Sequence, residues 1–379
     1  MLTLLAWVAA SIWLVILLLP WRPWSTREQL DSGGPTPDAV LDDVTVLVPA
    51  RNEAMHIADT LAAVQSQGRG LQVIVIDDQS SDTTAAQALD CTGMRTTVIR
   101  GKELPAGWSG KLWALEQGRP YVTTRLVLLL DADIVLLPGT ITALCKKRRD
   151  ENVQLVSLLA ELDMHGFQAR LLIPAFVYFF KLLYPFHLSN SGNRYVAAAA
   201  GGCILMETRV LDAIGGFVSL RAALIDDCTL AQRVKACGYR TWTGLTHSAR
   251  SLRRNDSLRS IWQMIARTAF TQLGYSTLLL LATTVIMVVA FICPVIALFS
   301  GQDGALYAAL LAIAAMCAGY LPVLNYYELP RSWTLAMPVT GLLYLLMTWS
   351  SAIACWRGMR SRWKDRTYRV SIHQGEGKS

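Results

Sequence analysis

The sequence is poor in charge. Asp, Glu, Lys and Arg make up only 17% of its 379 residues, against 53% hydrophobic, which is too oily for a purely soluble chain. Its eight cysteines are scattered and form no CxxC pair, which excludes a zinc ribbon and a disulfide framework and suits a reducing compartment. His56, His165 and His247 show no metal-ligand spacing. No G-x-G-x-x-G turn follows the first apolar strand; the segment there reads "PARNEA", too bulky for a backbone to approach a dinucleotide pyrophosphate. "GWSGK" (107–111) has the glycine–lysine pair of a phosphate loop without its spacing, and Lys111 is a candidate for binding an anion such as a nucleotide sugar. No basic stretch precedes the N-terminal apolar run and no small-residue cleavage site follows it, so a retained anchor is expected there and not a signal peptide.

In place of charge there are long apolar runs. Residues 2–19 carry no charge and as a helix would extend about 27 Å at 1.5 Å per residue. Arg22 and Arg27 follow, which places the next domain on the cytoplasmic side. Further apolar stretches lie near 278–299, 304–325 and 334–355, and a basic tail follows from Arg357. The organisation expected is an anchor (1–20), a linker (21–43), a globular domain (44–275), a transmembrane block (276–356) and a tail (357–379). Three full crossings would put that tail opposite the globular domain, against the positive-inside tendency. One stretch is therefore expected to be re-entrant or interfacial, leaving the tail on the cytoplasmic side; Pro322 and Pro338 mark the candidates. The formal charge of +7 suits an anionic membrane surface or anionic substrates; no nucleic-acid partner is expected.

Between linker and block, short aliphatic runs (44–50, 71–78, 96–101, 125–133, 153–162) alternate with helix-like stretches such as 53–66 and 81–90. That pattern predicts an α/β fold with a mostly parallel sheet covered on both faces. Ligands of such sheets bind beyond the carboxyl ends of the strands, and the polar residues cluster there: Arg51, Asn52 and Glu53, then Asp77 and Asp78, then Asp131 and Asp133. Asp131 and Asp133, one residue apart on an extended chain, point to one side. Like charges that close repel unless a cation lies between them, and magnesium or manganese is commonly held by one or two carboxylates plus substrate phosphates.

Blander readings stand beside these. Glu53 suits a helix N-terminus, "DDQSSD" a capping turn, Lys111 a solvated surface, and "DDCTLAQRV" an acidic helix start. The glycines Gly201 and Gly202 fit either a simple turn or close passage of backbone past a sugar or acceptor. The run 167–188 is apolar, but Arg170 and Lys181 interrupt it and Pro174 and Pro185 break it. A single crossing there would also separate Asp133 from Asp227, so an interfacial segment is expected, with a buried core helix as the alternative.

Taken in order, "VPARNEA", "VIDDQSSD", "DADI" and "IDDCTLAQRVKACGYR" resemble the inverting family 2 glycosyltransferases with a GT-A fold, over residues 44–275. "GWSGKLWAL", "RLLIPAFVYFF", "AAAAGGC", "ALIDDCTLA" and "ARTAFTQL" look like the hopanoid-biosynthesis-associated glycosyltransferases, membrane proteins of bacteria. The resemblance implies a Rossmann-like catalytic domain on the cytoplasmic face of the inner membrane. It implies Pro49, Ala50, Glu53 and Asp77 or Asp78 at the nucleotide, usually uridine. Asp131 and Asp133 match the D-x-D that holds Mg2+ or Mn2+ on the donor diphosphate, with Asp133 the more direct ligand. Asp227 falls on the catalytic-base position, with Asp226 in place of the usual glutamate. Arg267 lies near the Q-x-x-R-W element, whose tryptophan is here Thr268. The function so implied is transfer of a hexosyl or N-acetylhexosaminyl group from a nucleotide-diphosphate sugar to a lipid hydroxyl, with a hopanoid acceptor. The alternatives are a carotenoid, sphingoid or polyprenyl acceptor, or a non-catalytic scaffold retaining the fold.

Overall fold

The computed structural model describes residues 1–91, 95–221, 223, 225–363 and 366–369; Lys364 and the tail beyond 369 lie outside the described residues. Eight strands, β1 (Val44–Ala50), β2 (Gln72–Asp77), β3 (Arg95–Arg100), β4 (Leu126–Leu130), β5 (Ile134–Leu136), β6 (Leu155–Glu161), β7 (Cys203–Glu207) and β8 (Thr241–Ser251), form one sheet in the order β3-β2-β1-β4-β7-β6-β8-β5. The β3-β2-β1-β4 half is parallel, and β6 pairs β8 in parallel. β7 runs antiparallel between β4 and β6, and β5 antiparallel to β8. β4 and β6 therefore point the same way, and their carboxyl ends share one edge.

Alternation sorts the side chains of this sheet. Val46, Val48, Val73, Val75 and Leu128 pack on one face with Leu61, Val64, Ile141 and Leu144. Leu47, Ile74, Ile76, Val127 and Leu129 pack on the other with Leu112, Leu115, Leu230 and Val234. Both faces are covered by helices, which is why β1, β2 and β4 read as continuous apolar runs.

A third core joins this domain to the apolar helices. Helix Leu2–Leu18 lies parallel to helix Asp303–Tyr326: Thr3 Oγ1 donates to Gln302 Oε1 at 2.7 Å at one end, and a Cβ at Gly319 would lie 3.4 Å from Leu17 near the other. The seam is built of small residues, Ala6, Ala297, Ala305, Ala308 and Ala309, which let apolar helices approach closely. The segment 21–43 is fastened to the domain. Gln29 bridges to Leu245 and Val40 to Arg69, Asp31 accepts from Thr246 Oγ1 and His247 N–H, and buried Lys181 donates to Glu28 at 3.0 Å.

Helix Phe167–Leu183 carries the apolar run that tempts a membrane reading. It packs in this third core, with Leu172, Ile173 and Tyr178 fully buried, while Phe167 and Leu183 are exposed at its ends. Three helical segments, Thr277–Ala297, Asp303–Tyr326 and Arg331–Trp356, are long and apolar enough to cross a membrane. The last touches the sheet domain at both its ends. Trp333 meets Phe167 at 5.2 Å; Ser351 Oγ accepts from Phe270 N–H, and Trp356 meets the Phe270 ring. Midway, Tyr344 donates to the Leu172 carbonyl at 2.9 Å. The helix thus runs along the domain, whereas the Thr3–Gln302 end of the other pair points away from it.

Candidate active site

A cavity of about 710 Å³ opens at the carboxyl edge shared by β1, β4, β6 and β8. Pro49, Glu53, Lys111, Asp131, Asp133, Gly201, Gly202, Asp227 and Arg267 all line it, although the chain separates the first from the last by more than half its length.

Asp131 and Asp133 sit in the tight turn between β4 and β5. Asp131 N–H donates to the Gly202 carbonyl, continuing the β4–β7 ladder. Thr60 Oγ1 donates to the Ala132 carbonyl at 2.9 Å and holds the turn from beneath. Each acid carries a cation. Lys111 Nζ lies 2.6 Å from Asp131 Oδ1, and Arg253 Nε donates to Asp133 Oδ2. Arg253 also reaches Glu53 Oε1 through Nη2 at 2.5 Å, so two buried carboxylates share one half-exposed guanidinium.

Lys111 is in the first turn of helix Gly110–Gly118, whose start is capped by Ser109 accepting from Leu112 N–H. The helix dipole disfavours a cation there, and Asp131 compensates. Burial works against the ammonium, but Asp131, Asp226 and Asp227 overcome it and hold the lysine well above its ordinary range. Burial pushes the Asp131 carboxyl up, with Lys111 opposing and Asp133 adding to the rise. Burial, together with the neighbouring Asp226 charge, raises Asp227 to about 6. Asp227 heads helix Asp226–Ala236, where the dipole favours an anion. Its Oδ1 accepts from Cys228 N–H at 2.7 Å and its Oδ2 from Gly201 N–H at 2.8 Å.

Four expected site residues stand beside the cavity and do not line it. Successive helical residues point about 100° apart, so only one of the Asp226–Asp227 pair can face the cavity; Asp226 faces a smaller recess with Phe217 and Leu230. Asp77 and Asp78 are buried one strand over, where Asp77 Oδ1 accepts from Ser80 N–H and holds the turn. The Ala50 carbonyl accepts from Asp78 N–H, which fastens the ends of β1 and β2 together. Gly201 and Gly202 differ in tightness. A Cβ at Gly201 would meet Lys111 Nζ at 3.1 Å and Asp227 Oδ2 at 3.4 Å, whereas one at Gly202 makes only ordinary contact with Ile134.

Residues 253–255 went unnoticed in the sequence. Arg253, Arg254 and Asn255 line the cavity just beyond the carboxyl end of β8. The strand-end rule that singles out Asp131 and Asp133 would have found them had "TWTGLTHSARS" been read as a strand; its threonines, serines and histidine hide it. The opposite wall is apolar: Leu159, Leu162, Phe176, Phe180 and Met264. Phe176 and Phe180 come from helix Phe167–Leu183, and Met264 from the amphipathic helix Leu258–Ala266. The cavity thus combines the charged groups Lys111, Asp131, Asp133, Asp227 and Arg253 with the apolar Phe176, Phe180 and Met264.

The two D-x-D carboxylates offer the oxygen chemistry that a hard divalent cation takes. Among the described residues no cluster of three or more His, Cys, Asp or Glu could hold a metal. Two carboxylates fit a hard cation that takes its remaining ligands from outside the chain.

The family model described as glycosyltransferase like family 2 matches residues 42–269. Among curated proteins, a 4,4'-diaponeurosporenoate glycosyltransferase from Staphylococcus haemolyticus is 30% identical over 93 residues, 24% of each chain. One from Staphylococcus aureus is 32% identical over 94 residues, 25% of this chain and 24% of that one. The matched part spans about a quarter of the length of these relatives. Among solved structures, the fold is similar to that of a mannosyltransferase from Pyrobaculum calidifontis in complex with GDP-Man and Mn2+. The TM-score is 0.56 and the identity 21%, with 90% of this chain and 99% of that one covered.

Proposed function

The chain belongs to glycosyltransferase family 2, and on that premise we propose that it is a membrane-bound, inverting enzyme transferring a sugar from a nucleotide diphosphate to a lipid. The observation that carries this reading is the single cavity. It holds Asp131, Asp133 and Asp227 on one side and the apolar Leu162, Phe176, Phe180 and Met264 on the other. A donor diphosphate belongs at the charged side, beside Lys111 and Arg253; an acceptor with an apolar body belongs at the other.

In this reading Asp227 is the base. It takes the proton of the acceptor hydroxyl while that oxygen attacks the anomeric carbon from the face opposite the departing diphosphate, and one displacement inverts the centre. A carboxyl held near 6 is ionised at neutral pH yet basic enough to receive the proton. The N–H of Gly201 and of Cys228 aim its two oxygens. Asp131 and Asp133 would hold Mg2+ or Mn2+, which when bound neutralises charge developing on the leaving diphosphate. Pro49 and Glu53 border the nucleotide side, with Ala50, Asp77 and Asp78 forming the wall behind them; Arg267 stands at the acceptor mouth.

The catalytic domain lies on the cytoplasmic face of the inner membrane. Helices Leu2–Leu18, Thr277–Ala297 and Asp303–Tyr326 enter the bilayer, and Arg331–Trp356 lies at its surface, because both its ends meet the domain. The acceptor is a hopanoid on the sequence resemblance. The partial relatives named for diaponeurosporenoate favour a second reading, a carotenoid-type acceptor. Purified protein in lipid would be given manganese, a panel of nucleotide sugars, and hopanoid or carotenoid acid in parallel, with mass spectrometry of the lipid. A glycolipid made by wild type and by neither Asp133→Asn nor Asp227→Asn supports the reading and chooses the acceptor. Folded protein that makes no glycolipid and binds no nucleotide diphosphate with manganese overturns it.

A further inference from the structure

The acids Asp131 and Asp133 are each held by a cation of the chain itself, Lys111 on the first and Arg253 on the second. The two cations are not equivalent. Lys111 is fixed from several sides: its side chain is only 19% exposed, and it also donates to the Gly201 carbonyl at 3.1 Å. The Arg253 side chain is 50% exposed while its partners Glu53 and Asp133 are 8% and 11% exposed. It reaches them from the open side of the cavity, beyond the end of β8, on a long flexible stem.

A divalent ion binding at Asp133 must displace this guanidinium or share an oxygen with it, and like charges at that spacing repel. A guanidinium released there has an anion to go to once a diphosphate is present, because its planar fork matches phosphate oxygens. We propose that Arg253 is a positioning residue that occupies Asp133 in the donor-free enzyme and passes to the donor diphosphate when metal and nucleotide arrive. Metal alone then competes with Arg253 and binds weakly. Metal with diphosphate binds well, because the displaced cation gains a new partner. This inference rests on the metal-dependent, diphosphate-using reading of the cavity given above.

The test is binding, without turnover. Manganese affinity would be measured by the paramagnetic resonance of the free ion, with the full-length protein in lipid, alone and with uridine or guanosine diphosphate. Wild type is expected to hold manganese at least about tenfold more tightly when its diphosphate is present, a coupling that linkage requires to be reciprocal. In Arg253→Gln, manganese alone should bind about threefold or more tightly than in wild type, and the coupling should fall by about threefold or more, to what direct contact of metal and phosphate supplies. Arg253→Lys keeps the charge but cannot bridge both acids; it should be intermediate in both constants and serves if the glutamine variant does not fold. Wild-type constants in the folded variants, or weaker binding of manganese alone, would overturn the role of Arg253 while leaving the proposed function standing. If wild type binds no nucleotide diphosphate with manganese, both readings fail together.

Discussion

The backbone N–H of Gly201 donates to Asp227 Oδ2 at 2.8 Å, while the Gly201 carbonyl accepts from Lys111 Nζ at 3.1 Å. One residue without a side chain thus spaces the proposed base from the cation that pairs with Asp131. A methyl group there would press on Lys111 Nζ and lie in contact with Asp227 Oδ2. Overpacking of this kind costs about 1–3 kcal/mol. Gly201→Ala should lower kcat by about tenfold or more with little change in donor KM, and Gly202→Ala should be much milder. Steady-state kinetics of the two variants side by side checks this.

Asp227→Asn should remove about 10²–10⁴ of the rate and leave nucleotide binding intact. It should also change how stability depends on pH. With a folded pKa near 6 against an ordinary 3.8, the native state binds the proton more tightly than the unfolded chain. Between about pH 4 and pH 6 wild-type stability therefore falls as pH rises, and above that window the ionised carboxylate remains a cost. The stability difference between the two proteins should therefore move in favour of the asparagine variant as pH rises from about 4 to about 6. A difference that does not change across that window in thermal melts would contradict the raised pKa. The wild-type kcat/KM should climb as pH rises through about 6, as the base ionises.

Lys111→Gln should move that profile. Without the ammonium, Asp227 loses an opposing charge and keeps the repulsion of Asp226, so its pKa rises further. The acid limb of kcat/KM should shift to higher pH, in addition to a loss of rate of about 10²-fold. A loss of rate with an unmoved limb would make Lys111 purely structural.

Glu28 and Lys181 fasten the 21–43 segment to helix Phe167–Leu183. Lys181 is 1% exposed and Glu28 17%. Glu28→Gln would strand the deeper charge and should cost about 3 kcal/mol or more; Lys181→Met leaves only the more accessible one and should cost less. Thermal melts of both variants decide the order.

Helix Arg331–Trp356 touches the catalytic domain at both ends through Phe167 and Phe270. The residues just after it should therefore face the same side of the membrane as the domain. In a background lacking the native cysteines, Gly358→Cys should label from the side that labels a separate variant retaining only Cys237, which is exposed on the domain, and Gln302→Cys from the other. Labelling of Gly358→Cys together with Gln302→Cys would show that the helix crosses.

Much of this was legible in the chain because it is local. Val46 and Val48 announce one buried strand and Val73 and Val75 another, and a strand end is where a ligand binds. Asp131 and Asp133 could be singled out from ten residues of sequence. Arg253 could not, because β8 is rich in Thr and Ser and does not read as buried. Its partners Glu53 and Asp133 lie 200 and 120 residues away. Nor could composition foresee that the last apolar helix meets the domain at Phe167 and Phe270, since those contacts join distant segments. The periodicity and strand-end chemistry of the sequence by itself determined an α/β domain with an acidic site and an oily C-terminal block. Which cation sits on which acid, which of two adjacent aspartates faces the cavity, and where the apolar wall stands were decided only by tertiary structure. Those depend on pairings between distant segments, and the closeness of charges across a cavity is a property of the folded sheet and of no stretch of chain.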